Sequence, residues 1–334
     1  MIGIRVDGNK KIGTGHVMRC LSIAEALRGR GHAPVFISVD KNGLPEQQGF
    51  RCIHIDGVYS SLVNEQLLPL LRRENIHTLL VDTYFADAAY YKRLPEDIQT
   101  ACIFDFGNAC LPVDLLINYN ISYANYQYPS DIKTLLGLAY VPLRQEFSLP
   151  QPPRQFERVR SLLITTGGTD PLNITSAIIR LLRAMPAFDS VTLQVVIGGL
   201  NIHKNEVRET AAHAKNVICH ENIRMMSNLM QDCDIAISAG GSTVYELCAC
   251  GIPSIVFSFV DNQDDMVRAM ADAGIMLLAG NYRLNPEQCL SGMAKHAKIL
   301  LEDARLRESL SDKGRALVDG QGAGRIANAL LCLK

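Results

Sequence analysis

The chain has 334 residues, of which 48% are hydrophobic and 20% are charged, and its formal net charge is −1. This composition excludes a disordered chain and suits a globular protein of two domains. The near-neutral charge excludes an extended basic surface, so we expect neither a nucleic-acid partner nor membrane insertion. The sequence shows no secretory signal and no apolar run of membrane-spanning length, which predicts a cytoplasmic protein.

The first half of the chain alternates short apolar runs with amphipathic helical patterns. The predicted strands are Ile2–Val6, Pro34–Val39, Arg51–Ile55, Thr78–Asp82, Ala101–Asp105 and Leu115–Asn118. The predicted helices are His16–Arg28, Leu62–Glu74 and Ala86–Leu94. This alternation predicts a parallel, doubly wound sheet covered on both faces. The segment Asn118–Tyr140 loses the rhythm and is predicted to be loop with a short helix.

Residues 147–154 contain three prolines, as is typical of a linker, and the alternation restarts after them. The predicted strands are Val159–Thr165, Val191–Ile197, Val217–Cys219, Ile235–Ser238 and Ser254–Ser258. The predicted helices are Asn173–Met185, His203–Ala214, Met225–Gln231, Thr243–Cys250, Gln263–Ala273, Pro286–Glu302, Ala304–Leu317 and Arg325–Cys332.

We therefore predict an N-terminal domain at residues 1–148, a linker at 149–157 and a C-terminal domain at 158–334. The last helix is expected to pack back on the N-terminal domain. Ligands of such sheets bind outside the carboxyl ends of the strands, so a cleft between the two halves is the predicted ligand site.

The first strand is followed by the turn Gly13-Thr14-Gly15-His16, which opens the first helix. A helix N-terminus favours anions and a neutral imidazole, and a general base must be neutral. We predict His16 as the catalytic residue and both glycines as substrate contacts, with a plain polar residue near the helix start as the alternative. Asp7 and Asp82 end strands at the same sheet edge, where they are either substrate ligands or structural turn residues.

Two glycine turns in the second half, Gly167–Asp170 and Gly240–Thr243, are predicted to bind anionic groups. Each follows a strand and opens a helix, so backbone N–H groups and hydroxyls face the ligand. The first turn, which Thr169 could cap, is otherwise a plain turn. In the second, Glu246 accepts from ribose hydroxyls or belongs to a capping box. The predicted binding residues are Gly168, Thr169, Asp170, Gly240, Gly241, Ser242, Thr243 and Glu246, together with the amides of Asn262 and Gln263.

No cofactor and no metal are predicted for this site. The P-loop pattern, a His-x-x-x-His pair and an Asp-x-Asp pair suited to a magnesium-bound diphosphate are all missing from the sequence. The ten cysteines form no Cys-x-x-Cys pair and mostly lie within apolar patterns, which predicts reduced, buried thiols.

The order of these motifs resembles the UDP-sugar hydrolases of pseudaminic acid biosynthesis and the related spore-coat polysaccharide biosynthesis proteins. The matching segments are Ile4–Asp7, Ile12–Leu21, Asp82–Tyr84, Leu116–Asn120, Gly137–Arg144, Gly167–Asp170, Gly240–Glu246 and Asp261–Gln263. The resemblance implies the GT-B architecture, in which two doubly wound Rossmann-like domains face each other across a cleft and the C-terminal domain holds UDP. Asp105-Phe106 stands where the family commonly has paired aspartates.

The reaction that the resemblance implies is removal of UDP from UDP-2,4-diacetamido-2,4,6-trideoxy-β-L-altropyranose by water that His16 activates. It also implies that Tyr84 and Asn118 contact the UDP-sugar and that Ile223 meets the uracil. Two alternatives use the same residues. One is a GT-B glycosyltransferase with a UDP-sugar donor, and the other is a non-catalytic sugar-nucleotide-binding protein.

Overall fold

The computed structural model describes residues 1–9, 14–56, 64–105, 110–149 and 154–333. The chain divides into two compact units. Unit 1 comprises Met1–Gln145 and Gly320–Lys334, and unit 2 comprises Glu146–Asp319. Each unit contains one parallel sheet with helices packed against it, so the prediction of two doubly wound α/β domains is confirmed. Most of the proline-rich segment predicted as a linker lies outside the described residues.

Unit 1 contains seven strands and five α-helices within its described residues. The strands are β1 (Ile2–Val6), β2 (Val35–Ser38), β3 (Cys52–His54), β4 (Thr78–Asp82), β5 (Gln99–Ile103), β6 (Leu115–Asn118) and β7 (Lys133–Leu136). The helices are α1 (Gly15–Arg28), α2 (Leu44–Gln47), α3 (Asn64–Arg73), α4 (Ala88–Lys92) and, from the end of the chain, α12 (Gly322–Leu331). The strands are all parallel, in the order β3-β2-β1-β4-β5-β6-β7.

The sheet of unit 1 is buried on both faces, which explains why its strands are almost continuously apolar. Successive side chains of a strand point to opposite faces. Leu80 of β4 therefore packs with α1 and with Ile326 of α12, whereas its neighbours Leu79 and Val81 pack with α3 and α4 on the other face. Burial on both faces selects apolar residues at every position, as the sequence pattern requires.

Unit 2 repeats this plan with six strands and seven α-helices in its described part. The strands are β8 (Ser161–Thr165), β9 (Thr192–Val196), β10 (Val217–His220), β11 (Ile235–Ala239), β12 (Ser254–Ser258) and β13 (Leu277–Asn281). The helices are α5 (Ile174–Arg183), α6 (Lys204–Ala212), α7 (Met226–Gln231), α8 (Thr243–Ala249), α9 (Asp261–Asp272), α10 (Pro286–Glu302) and α11 (Ala304–Leu317). The strands are parallel in the order β10-β9-β8-β11-β12-β13.

Two strands occur where none was predicted, and both lie at a sheet edge. The prediction of a loop with a short helix at Asn118–Tyr140 is wrong for β7, although the segment does contain a 3-10 helix at Ile121–Asn125. β13 falls in a segment predicted without a strand. An edge strand pairs on one side only, so it can form with a weak apolar pattern. β7 contains one buried residue, Leu135, and β13 is interrupted by Gly280 and a shift in register.

The strand order reverses beside the first strand of each sheet. β1 lies between β2 and β4, and β8 lies between β9 and β11. Ligands of open α/β sheets bind outside the carboxyl ends of the strands at such a point. The loop before His16 follows β1 and Asp82 ends β4, while the turns at Gly167 and Gly240 follow β8 and β11. Each unit thus brings two of the predicted site segments together.

All ten cysteines are free thiols, and six of them are buried. Throughout the described ranges, no helix combines the length and the apolar character that crossing a membrane requires.

Candidate functional site

His16 and Asp82 form a buried pair at the carboxyl edge of the unit 1 sheet. His16 is the second residue of α1, and Asp82 is the last residue of β4. Nδ1 of the imidazole lies 2.7 Å from Oδ1 of the carboxylate. When Nδ1–H donates to Asp82, Nε2 is left as the acceptor for a proton. This is the arrangement of an oriented general base.

Arg19 joins this pair to a second carboxylate. Its Nε and Nη2 lie 2.6 and 2.5 Å from the two oxygens of Asp82. Its Nη1 lies 2.6 Å both from Oδ2 of Asp105, just after β5, and from the hydroxyl of Tyr119, just after β6. Arg19, Asp105 and Tyr119 are not among the predicted site residues. The signals that indicate them are the helical i, i+3 spacing from His16 and polar residues that follow neighbouring strands.

The charged residues of this cluster determine one another's protonation states. Burial alone would raise the pKa of Asp82, but the charge and hydrogen bonds of Arg19 and the hydrogen bond from His16 lower that pKa to about 2. Burial would lower the pKa of Arg19, but Asp105 and Asp82 raise it well above its usual range. Asp82 is therefore a permanent carboxylate and Arg19 a permanent cation near neutral pH.

The lowered pKa of Asp82 predicts a pH-dependent contribution to stability. Because the pKa is lower in the folded chain than the usual value near 3.9, ionised Asp82 stabilises the fold fully above about pH 5. The contribution is lost as the pH falls toward 2. In urea unfolding, the difference in unfolding free energy between wild type and Asp82→Asn should shrink by about 1 kcal/mol from pH 6 to pH 3. A difference that stays constant with pH would contradict this.

Tyr84 and the glycine turn border the histidine. The Tyr84 side chain is 55% exposed, and its ring meets that of His16 edge to face with centroids 4.5 Å apart. Gly15 is the first residue of α1, and no heavy atom of the described residues lies within 4 Å of where a Cβ would stand. Gly13 lies outside the described residues. The exposed Tyr84 ring and the open space at Gly15 suit contact with a ligand at His16.

Asp7 and Asn118 form hydrogen bonds with other residues of unit 1. Both are buried. The Asp7 carboxylate accepts from the hydroxyl of Ser38 at 3.1 Å and from the amide of Val39 at 2.8 Å. The Asn118 amide donates to the hydroxyl of Tyr128 at 2.9 Å. These bonds hold the loops at the sheet edge, and a substrate role for either residue stays a prediction.

The first glycine turn of unit 2 is capped differently from the prediction. Asp170 is buried, and its two carboxylate oxygens accept from the amides of Ile174 and Thr175, at 2.8 and 2.9 Å. The expectation that Thr169 caps the helix is therefore wrong, because Asp170 supplies both bonds at the start of α5. Thr169 and Gly168 are exposed, and in the described part of the chain a Cβ at Gly168 would meet no heavy atom within 4 Å. They remain available to a ligand.

Two of the predicted phosphate donors in the second turn are already bonded. The amide of Gly240 donates to the carbonyl of Phe257 at 2.8 Å, and that of Gly241 donates to the carbonyl of Ala239 at 2.9 Å. A Cβ at Gly240 would lie 2.3 Å from Cγ1 of Val267, so this glycine allows α9 to pack closely. The hydrogen-bond donors that remain for a phosphate group therefore belong to the two residues that follow.

Those two residues are Ser242 and Thr243, at the start of α8. Ser242 is the N-cap residue, and its hydroxyl makes no capping bond. The capping-box alternative therefore lacks the bond that this hydroxyl would donate. Glu246 lies in the first turn of the helix and is partly exposed.

The remaining predicted residues lie around the same edge. Asn262 is exposed near the start of α9, and the neighbouring Gln263 accepts from the amide of Phe259 at 3.1 Å. Ile223 is partly exposed after β10, and it follows Asn222, whose φ is 52°. A left-handed residue turns the chain sharply, so the segment before α7 is irregular, as expected for one that meets a base through its backbone.

One group among the described residues could hold a metal ion. Donor atoms of Glu46, Cys52 and His54 lie within 4.8 Å of one another on α2 and β3. Glu46 and His54 are exposed, and Nε2 of His54 lies 3.1 Å from Oε1 of Glu46. None of the three is a predicted site residue. Metal independence of the reaction stays a prediction.

Comparison with known proteins identifies the fold. Residues 162–313 match the family described as "Glycosyltransferase family 28 C-terminal domain". Among solved structures, MurG from Acinetobacter baumannii has a TM-score of 0.67 and 14% identity, covering 99% of both chains. The chain therefore has the GT-B fold, as the resemblance implied.

Two relatives are similar over most of their length. The "Spore coat polysaccharide biosynthesis protein SpsG" of Bacillus subtilis is 25% identical, over 98% of this chain and 97% of the relative. The "UDP-N-acetylglucosamine--N-acetylmuramyl-(pentapeptide) pyrophosphoryl-undecaprenol N-acetylglucosamine transferase" of Neisseria meningitidis is 24% identical, over 86% of this chain and 91% of the relative.

These comparisons correct the predicted reaction. The matched domain family and the Neisseria relative are glycosyltransferases. The prediction of UDP-sugar hydrolysis is therefore wrong, and the pseudaminic acid substrate implied with it loses its support. The similarity to a spore-coat polysaccharide protein holds. The alternative of a GT-B glycosyltransferase fits these findings better.

Proposed function

We propose that the protein is a glycosyltransferase that moves a sugar from a UDP-sugar donor to an acceptor hydroxyl in polysaccharide biosynthesis. The observation that carries the proposal is the 2.7 Å contact of His16 with Asp82 in a chain whose second unit matches a glycosyltransferase domain. Transfer to a hydroxyl needs a base at the acceptor and donors that stabilise the departing diphosphate.

His16 is the proposed base. Its Nε2 takes the proton of the acceptor hydroxyl while that oxygen bonds to the anomeric carbon of the sugar. The bond from the anomeric carbon to the diphosphate oxygen breaks, and its electron pair leaves with UDP. Asp82 holds Nδ1–H and stabilises the imidazolium that forms, because it stays ionised beside Arg19.

Unit 2 is the proposed binding unit for UDP. The first N–H groups of a helix have no partner within the helix and attract anions, so the start of α8 suits the diphosphate. A carboxylate one turn further can accept from two ribose hydroxyls. The residues proposed for phosphate, ribose, uracil and the nearby polar contacts are Ser242, Thr243, Glu246, Ile223, Gly168, Thr169, Asn262 and Gln263.

The reaction is tested with a panel of UDP-sugars that includes UDP-N-acetylglucosamine. Each is incubated with the protein in buffer alone and with a set of saccharides and lipid-linked saccharides as acceptors. Mass spectrometry then detects UDP and the glycosylated product. We expect UDP to appear together with product when an acceptor is present. Release of UDP and free sugar at the same rate without acceptor would contradict transfer.

Glu246→Gln is expected to weaken UDP binding about tenfold or more, because a charged acceptor for the ribose hydroxyls is lost. Isothermal titration calorimetry with UDP measures the dissociation constant. Glu287→Gln is the matched control, since Glu287 also lies in the first turn of a helix of unit 2. Equal affinities of the two variants would remove Glu246 from the nucleotide site.

A further inference from the structure

The proposed base touches a cation. Nη2 of Arg19 lies 2.9 Å from Nδ1 of His16, and both atoms approach the same oxygen of Asp82. An imidazole that accepts a proton in this position becomes a second positive charge beside the guanidinium. Like charges at this distance repel strongly in a buried site, so Arg19 by itself opposes protonation of His16.

Asp105 offsets this effect. Its Oδ2 lies 2.6 Å from Nη1 of Arg19, on the side of the guanidinium away from the two nitrogens that face Asp82. The side chains of Asp82, Arg19 and Asp105 are 0%, 12% and 13% exposed, so water screens their charges weakly. With neutral His16 the cluster has two carboxylates and one cation. When His16 is protonated, the cluster becomes neutral.

We propose that Arg19 and Asp105 are positioning residues that set the proton affinity of His16, Arg19 lowering it and Asp105 restoring it. The inference rests on the proposed function, in which His16 accepts a proton during transfer. In that step the charge of the cluster changes from negative to neutral, so no net charge is left buried. A pair of Arg19 and Asp82 without Asp105 would leave a net positive cluster after the same step.

The other titratable side chains around His16 do not change protonation in the pH range in which an imidazole titrates. Among the described residues, groups of this kind are the phenol of Tyr84 at His16, the phenol of Tyr119 at Arg19 and the thiol of Cys20 at Asp82. Tyr91 and Cys102 also interact with Asp82. Burial raises the pKa of Tyr84 and that of Cys102 to about 12, and it raises the pKa of Tyr91 well above its usual value. Burial and the neighbouring Asp82 raise the pKa of Cys20 well above its usual value, so the thiol stays protonated and donates to Asp82. Changes in the titration of His16 therefore report on the charged residues.

The test is a titration of the His16 ring by NMR, which needs no enzymatic activity. The Cε1–H signal of His16 is identified by its loss in His16→Ala. In Asp105→Asn, which keeps a hydrogen-bond acceptor for Arg19, the midpoint of this titration should move down by roughly one pH unit. In Arg19→Met it should move up by one unit or more, and in Arg19→Lys it should stay near wild type. A purely structural role would not move the two midpoints in opposite directions.

The matched control is Asp114→Asn. Asp114 accepts from Thr100 near the start of β5, whereas Asp105 follows the end of that strand. We expect no shift in this control. Equal shifts in Asp105→Asn and Asp114→Asn, or no shift in Asp105→Asn, would overturn the proposal even if Arg19→Met does not fold. The acid limb of the pH profile of kcat should follow the NMR midpoints. Midpoints that move as expected in a protein without transfer would instead count against the proposed function alone.

Discussion

Replacing His16 by alanine is expected to lower kcat for sugar transfer by about 100- to 10,000-fold, the usual contribution of a general base. The affinity for UDP should stay unchanged, because the residues proposed to bind it belong to unit 2. Asp82 keeps its contacts with Arg19 at 2.6 and 2.5 Å, so the buried carboxylate is not left unpaired. Steady-state kinetics with donor and acceptor measures kcat, and calorimetry with UDP measures the dissociation constant.

His32→Ala is the control for this experiment, since His32 is an exposed histidine of the same unit. It should leave both kcat and UDP affinity at the wild-type level. If His16→Ala keeps kcat within about threefold of wild type, His16 is not the base. If both kcat and UDP affinity fall together, His16 contributes to donor binding instead.

Most of the fold could be predicted because the central strands are buried on both faces. β1, β4, β6 and β12 have the predicted bounds, and each is a run of apolar residues next to a turn. The long helices α10 and α11 also begin and end at the predicted residues. The edge strands β7 and β13 could not be predicted in this way, because β7 contains one buried residue and Gly280 interrupts β13.

The site was only partly predictable, because a carboxylate at a strand end can accept a hydrogen bond either from a backbone amide or from another side chain. Asp7, Asp82 and Asp170 all follow or end strands, and the sequence pattern treats them alike. In the structure Asp7 and Asp170 accept from backbone amides, whereas Asp82 meets His16. The choice depends on which distant loop reaches each carboxylate, and periodicity contains no information about that.

Arg19 and Asp105 are absent from the predicted site because their contact also depends on which distant segments meet. Arg19 and Asp105 are separated by 86 positions in the chain. Their contact exists because α1 follows β1 and Asp105 follows β5, which is two strands away in the sheet. The strand order is needed before the pair can be inferred, and it was not assigned from the sequence.

Gly322→Ala is expected to destabilise unit 1 by about 3 kcal/mol, the upper end of the usual cost of overpacking. Gly322 begins α12, and a Cβ there would lie 2.2 Å from the carbonyl oxygen of Val141 and 2.6 Å from the carbonyl carbon of Tyr140. These are backbone atoms, so relief requires α12, which packs against α1, to move away from the backbone of Tyr140 and Val141. Urea unfolding measures the loss, and hydrogen exchange should show faster exchange in α1 and α12.

Gly324→Ala provides the matched control in the same helix. A Cβ at Gly324 would have as its nearest neighbour Nη2 of Arg30, at 3.1 Å, which is the end of a flexible side chain. Alanine favours a helix over glycine by about 1 kcal/mol, so this variant should be neutral or slightly more stable. Opposite signs for the two variants would mean that α12 is held to unit 1 by the close approach of two backbones. Equal losses would mean that substitution anywhere in the helix is harmful and that the contact with Val141 is not the cause.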